Sequence, residues 1–430
     1  MPHRPERAPV RAPLAVLAVL SVLAACSSDP PVSRGELVGD RSLATLPKAA
    51  IDAATAASGA QALTGTARCA VDVRQFVHTT VQPDGTQGSA SAALLVPVAD
   101  GDTCTGPFPI LSYNRGTEVL RARTMANPSD PETGLLMGFF ASQGYVVVAT
   151  DYLGYAESRL PYHPYLHAES QASTTIDSII AARRVLAAQG VAVSSRLFLA
   201  GYSQGGHASM ATHRTIQADQ SLGLTVTAGG HMSGPYDLTG SFVTGVALLP
   251  SGTGGSTVFT PMVLTSFQRV YGNLYGTPSD FYRAPYSNGI ESLLPGATPF
   301  NDLFTTGLLP LQLGDLLTPA AVAAVGDLSS GLRQALDRNT LLNWRPQSPV
   351  LLCGGSRDPV VLFQNTTRSA QAIAAAGGTA TVVDVEQVPA FAAALPPANA
   401  PIAQLATYHG AVVPPLCMRV VRDNLFAPLR

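Results

Sequence analysis

The sequence predicts an α/β fold, a mostly parallel sheet flanked by helices and interrupted once by a long insertion. Three observations lead there. Short, wholly apolar runs such as Tyr145 to Thr150 alternate with helical segments, the pattern of strands buried on both faces of a parallel sheet. The run Gly201-Tyr202-Ser203-Gln204-Gly205 stands between such a strand and a helix. The alternation then stops near Asp237 and resumes only at Pro349.

Taken in order, residues 1–25 read as a signal peptide. Arg4, Arg7 and Arg11 precede a ten-residue apolar run, Leu14 to Leu23. That run is too short to span ~30 Å of hydrocarbon, which takes about 20 residues. It ends in Leu23-Ala24-Ala25-Cys26, which resembles the bacterial lipobox and implies that Cys26 is acylated and held on a membrane surface. Residues 26–45, with Pro30-Pro31, Gly35 and Gly39, read as a lipidated tether. The core should then occupy 46–237 and 344–430, with 238–343 as a cap or lid.

Within the core, Pro47 to Gly59 has helical spacing. Cys69 to Val81 and Ser89 to Val96 read as strands about a Pro83-Asp84-Gly85 turn. Pro109 to Tyr113 is a short apolar strand. Pro131 to Gln143 reads as a helix capped by Asp130 and stopped by Gly144. After the strand at Tyr145, a helix is expected over Ser173–Gln189, a strand over Leu197–Ala200, a helix over Gly205–Gln217 and a strand over Leu224–Ala228. Beyond the insertion come a strand at Pro349–Cys353, a helix at Val361–Ala375, a strand at Thr379–Val385 and a closing helix at Leu416–Leu425.

The chain has 430 residues, 46% of them hydrophobic and only 13% charged, with a formal net charge of −2. That excludes a disordered or coiled-coil protein, and no basic footprint for nucleic acid is present. With Cys26 set aside, Cys69, Cys104, Cys353 and Cys417 are even in number and export permits disulfides; 69–104 with 353–417 is the preferred pairing because Cys69 and Cys104 bracket the hairpin. His163 and His167 have helical spacing, but Pro161 and Pro164 argue against a helix there, so no metal site is expected.

The chemistry gathers around Ser203. A serine between a buried strand and a helix can be held with its hydroxyl exposed at a helix N-terminus, where developing negative charge is favoured. Gly201 and Gly205 are needed because side chains there would collide with neighbouring backbone. The hydroxyl still needs a base, and the base an acid to fix its tautomer. In this architecture the acid and then the base follow the serine in the chain. His409 is the one histidine after the late acidic residues, and Asp358, in the loop after the strand Pro349–Cys353, is the chosen acid. Asp384 and Glu386 are read as the polar face of the next strand. The oxyanion needs two donors: the N–H of Gln204, and that of Thr117 in Asn114-Arg115-Gly116-Thr117, with Gly116 as the alternative.

These residues look like the α/β-hydrolase superfamily. More narrowly, Ser112 to Thr117, Asp151 to Ser158, His163 to Leu166 and Gly234 to Leu238 resemble secretory lipases, the yeast lipase A type and related bacterial lipoprotein esterases. The likeness runs over roughly 46–238 and 344–430; the insertion matches in position and length only. It implies an exported serine carboxylic-ester hydrolase acting through an acyl-enzyme, with a helical cap and no cofactor. One departure stands out: superfamily members often place a histidine before the oxyanion-loop glycine, and this chain has Arg115. The insertion has ten charged residues in 106, which suits apolar acyl esters; Phe300, Phe304, Tyr271, Tyr275, Phe281, Tyr282 and the leucines from Leu308 to Leu317 are available as lining or as the cap's own core. Expected partners are a small-molecule or lipid ester and a membrane surface, with no nucleic acid. A peptidase or acyltransferase on the same fold is the nearest alternative, and a non-catalytic surface binding protein a more distant one.

Overall fold

The computed structural model describes residues 1–3, 33–400 and 407–430. The leader's apolar run and Cys26 lie outside the described residues. Residues 33–400 and 407–430 are built on one nine-stranded sheet in the order β1-β2-β3-β5-β4-β6-β7-β8-β9. The strands are β1 (Leu37–Leu46), β2 (Ala70–Val81), β3 (Gln87–Val98), β4 (Phe108–Asn114), β5 (Val146–Thr150), β6 (Val193–Tyr202), β7 (Ala228–Met232), β8 (Val350–Gly354) and β9 (Thr381–Asp384). β1, β2 and β3 run antiparallel up to β5, and everything from β5 to β9 is parallel. The parallel strands β4, β5, β7 and β8 are buried along their whole length, because helices cover both faces.

Helices of eight residues or more are α1 (Lys48–Ala57), α2 (Pro131–Phe139), α3 (Ala168–Ala188), α4 (Gln204–Ala218), α5 (Leu238–Ala247), α6 (Ser256–Tyr271), α7 (Pro319–Gly326), α8 (Gly331–Asn339), α9 (Gln364–Ala375) and α10 (Val413–Val420). Asp130 caps α2 by accepting from Glu132 and Thr133 N–H groups, and Gly144 ends the following 3₁₀ turn at φ 85°. From β4 the chain crosses to β5 on one side and later to β6 on the other. The carboxyl ends of β4 and β6 are therefore a switch point, where open α/β sheets hold their ligands.

Four expectations need correcting. The tether read over 26–45 gives way to a strand, since Leu37–Leu46 pairs antiparallel with β2. Arg74 bridges across this pair to Asp40 and along its own strand to Asp72, and Ser42 donates across to Asp72 at 2.5 Å. Polar cross-strand pairs, rather than an apolar face, hold this edge strand. The strand expected at Leu224–Ala228 lies instead at Ala228–Met232. Its Gly229 and Gly230 are pressed by His213 and by Val421, whose Cγ1 would lie 2.3 Å from a Cβ at Gly230. The helix expected from Ser173 begins earlier, at Ala168, and the closing helix begins at Val413 and continues as π-helix to Phe426.

Residues 238–343 form α5 to α8 and several single turns, with an apolar cluster of their own that includes Val258, Phe267, Phe281, Tyr282, Leu303 and Leu336. Both ends of this cap are fastened to each other at the core. Leu341 N–H donates to Tyr236 O at 2.8 Å, and Thr239 donates to Asp337 at 2.8 Å. Disulfides join Cys69 to Cys104 and Cys353 to Cys417.

Candidate active site

The turn between β6 and α4 puts Ser203 at φ 58°, ψ −122°, a left-handed conformation costing a non-glycine residue ~1–3 kcal/mol. The surroundings enforce it. A Cβ on Gly201 would lie 2.0 Å from Gly205 O, and one on Gly205 would lie 1.8 Å from Asn114 O. Ser203 N–H is anchored to Met232 O at 3.0 Å.

His409 Nε2 lies 2.8 Å from Ser203 Oγ, and its Nδ1 lies 2.6 Å from Asp358 Oδ2. A carboxylate only accepts, so Nδ1 carries the proton and Nε2 is left to accept from the serine. Asp358 is buried, and its other oxygen accepts the N–H groups of Val360 and Val361 at 2.9 and 3.1 Å. Such a chain can draw a proton from a hydroxyl without moving a heavy atom far. The Cys353–Cys417 bond joins the strand before Asp358 to the helix after His409.

Sequence reasoning missed the braces around this chain. Tyr202 OH donates to His409 O at 2.5 Å, tying His409 to the β6–α4 turn. Glu386 is a brace rather than a strand face: it pairs with Arg357 at 3.0 Å and accepts from Tyr408 OH. Asp384 accepts Ser356 N–H at 3.0 Å in the acid loop. Adjacency to Ser203 and His409 was the only sequence signal for Tyr202 and Tyr408; Glu386 carried none.

Gln204 is the first residue of α4, and a first-turn N–H has no acceptor within its helix. Thr117 N–H has no protein acceptor among the described residues. Gly116, the alternative donor, is engaged elsewhere: its N–H donates to Glu132 Oε1 at 3.1 Å. Arg115 is fully buried and donates to Gly116 O and Asp151 O, both at 3.2 Å, with Tyr155 4.1 Å beneath its guanidinium. Backbone carbonyls and an aromatic face thus meet its charge. Asp151 accepts from Ser91, Thr124 and Met125 N–H, and burial pushes its carboxyl up.

Two recesses meet at Ser203. One runs into the cap between Leu238, Phe242, Phe259, Val263, Leu313 and Leu317 and is mostly apolar. The other is a wider, more polar cleft lined by Thr117, Glu118, Arg121, Arg123, Phe300 and His409. Of the candidate lining residues, Leu313 and Leu317 face the apolar recess and Phe300 the wide cleft. Tyr275, Phe281, Tyr282 and Leu309 belong to the cap's own core. Among the described residues no cluster of three or more His, Cys, Asp or Glu side chains could hold a metal ion, and no helix is long and apolar enough to cross a membrane.

Residues 131–239 match the model of the secretory lipase family. The rice cell wall degrading esterase LipA from Xanthomonas oryzae is similar over 93% of this chain and 100% of its own, at 32% identity and a TM-score of 0.82. A putative hydrolase from Legionella pneumophila shares the fold, at 19% identity and a TM-score of 0.73 over 91% of this chain and 99% of its own. Candida antarctica lipase A does so at 15% identity and a TM-score of 0.57, over 82% and 76%. No curated protein sequence matches.

Proposed function

Because the chain belongs to the α/β-hydrolase family of secretory lipases and LipA-type esterases, and is therefore a carboxylic-ester hydrolase, we propose that it cleaves apolar acyl esters through Ser203, His409 and Asp358. The observation that carries this reading is the unbroken hydrogen-bonded chain from Ser203 Oγ through His409 to Asp358. Ser203 Oγ attacks the ester carbonyl while His409 Nε2 takes its proton, and Asp358 stabilises the imidazolium. The N–H groups of Gln204 and Thr117 receive the oxyanion. The alcohol leaves with the proton from His409, and a water deprotonated by the same nitrogen then releases the acid. The acyl chain occupies the apolar recess under the cap, and the alcohol faces the wide cleft.

An alkyl p-nitrophenyl phosphonate series tests both the nucleophile and the acyl site. Mass spectrometry is expected to find the adduct on Ser203. Each added methylene contributes up to ~0.8 kcal/mol, so labelling and ester hydrolysis should rise nearly fourfold per CH₂ from acetyl-sized to medium chains. An adduct on another residue, or folded protein left unlabelled, rules out the triad; a preference for acetate over butyrate rules out the apolar acyl site.

The proposal extends to location: an exported protein, anchored through an acylated Cys26. The two disulfides support the oxidising compartment, and Leu23-Ala24-Ala25-Cys26 supports the anchor. Cys26→Ser should move the protein from the membrane fraction to the soluble one. Wild-type protein found soluble and unacylated in its native host would refute the anchor.

A further inference from the structure

Two stretches have no part in the triad, the loop 151–158 and the run His163-Pro164-Tyr165-Leu166. They are locked together. A Cβ on Gly154, at φ 86°, would lie 2.2 Å from Tyr162 O, so one backbone rests directly on the other. Among the described residues, non-glycine positive φ occurs at Tyr152, Ala156, Leu166, Ser203 and Ser233; three of those five lie in these two stretches. Strain of this kind persists only where the surroundings over-determine it.

Their interior is a buried aromatic cluster. The His163 ring stacks on Tyr152 at 5.5 Å and meets the Tyr155 and Tyr165 rings edge-on at 4.7 and 5.9 Å. His163 Nδ1 lies 2.8 Å from Leu153 O, and a carbonyl only accepts, so Nδ1 holds the proton and Nε2 is an acceptor. Burial pushes this imidazole down to about 3, which keeps Nε2 unprotonated.

The outward contacts of this cluster fall on the two segments that supply the oxyanion donors. Gln204 Nε2 donates to His163 Nε2 at 2.7 Å. Tyr165 OH and Thr117 Oγ1 share a hydrogen bond of 2.7 Å. Tyr152 OH donates to Arg115 O at 3.0 Å, and Tyr155 OH donates to Glu118 O at 2.6 Å. Together with the Glu132 contact to Gly116 N–H, these fix the residues on both sides of Thr117 and leave its own N–H free.

We propose that His163 and Tyr165 are positioning residues for the oxyanion hole, each holding one donor segment: His163 through the Gln204 side chain, Tyr165 through Thr117 Oγ1. Two donors must be aimed at one oxygen that exists only in the transition state, and they sit on different parts of the chain, the β6–α4 turn and the loop after β4. A shared rigid cluster sets their separation and removes reorganisation from the reaction. The inference rests on the proposed roles of Ser203, Gln204 and Thr117.

The test is a double-mutant cycle between Tyr165→Phe and Thr117→Val, joined by Gln204→Met, which removes the side-chain anchor and keeps the backbone N–H. Each single variant should lower kcat by ~10- to 100-fold with KM little changed and Tm near wild type. Affinity for an alkylboronic acid, a transition-state analogue, should fall in the same ratio as kcat/KM. Because Tyr165 acts through Thr117, the double variant should lose no more than Thr117→Val alone. Additive losses, wild-type kcat in Tyr165→Phe, or unchanged boronate affinity would each overturn the proposal. Should Gln204→Met be as active as wild type, the His163 half falls by itself. Failure of the underlying reading shows separately, as wild-type enzyme that a phosphonate does not label on Ser203, and the proposal falls with it.

Discussion

Ser203→Ala should yield a folded protein whose ester hydrolysis is reduced by roughly 10⁶-fold in kcat. In the proposed mechanism this hydroxyl forms the covalent bond, and it lies 2.8 Å from His409 Nε2. His409→Ala should lose nearly as much, because in the proposed mechanism nucleophile and base act as one unit and removing either removes both. Asp358→Asn should be milder, about 10⁴-fold, since the base remains but the amide no longer enforces the Nδ1–H tautomer. The double variant Ser203→Ala/His409→Ala should be no worse than either single one. Stopped assays with a p-nitrophenyl ester decide the matter: more than a tenth of wild-type activity in Ser203→Ala would end this reading of the site.

Acid should unfold the protein abruptly, with a midpoint at about pH 5. Burial holds six of the eight histidines neutral in the fold. His78, His167 and His207 are pushed down to about 4, His163 and His213 to about 3, and His231 well below its ordinary value, with His213 adding to the effect. An unfolded histidine titrates near ~6.5. Between that value and 3–4 the unfolded chain binds protons that the folded chain refuses, so stability is constant above about pH 6.5 and falls as pH drops through that window. Each site costs up to ~1.4 kcal/mol per pH unit, and six of them exhaust a typical ~5–15 kcal/mol of stability within about two units. Asp151 and Asp177, pushed up by burial, act in the opposite direction but are outnumbered. Near-ultraviolet circular dichroism from pH 8 to pH 3 reads this out; a native signal persisting at about pH 3.5 would show that these histidines are not held neutral.

Much of the architecture was legible because burial on both faces writes a one-letter message. β4, β5 and β8 are plain apolar runs, and the strand–glycine–serine–glycine–helix turn has few other uses. The failures share a physical cause. β1 is held by Arg74, Asp40, Asp72 and Ser42 across the strand pair, so its residues read like a linker. β7 contains Gly229, Gly230 and His231, which have low strand propensity, and neighbouring side chains fill the space their own lack. The brace around the base depends on Tyr202, Tyr408 and Glu386, joined across 22 to 207 residues of chain. No periodicity marks such a contact. Gly116 was a reasonable donor by its place in the loop; only the position of Glu132, on α2, shows that its N–H is already used.

The disulfide between Cys353 and Cys417, at a sequence separation of 64, closes a covalent ring of chain, and both Asp358 and His409 lie on that ring. The consequence is topological. A single cut by a protease anywhere between Asp358 and His409, including the run from Val385 to Ala400 with its short 3₁₀ turns, opens the ring but releases neither piece. The segments bearing Asp358 and His409 stay joined through the disulfide. A nick there changes the pattern on a reducing gel without separating the two halves of the relay.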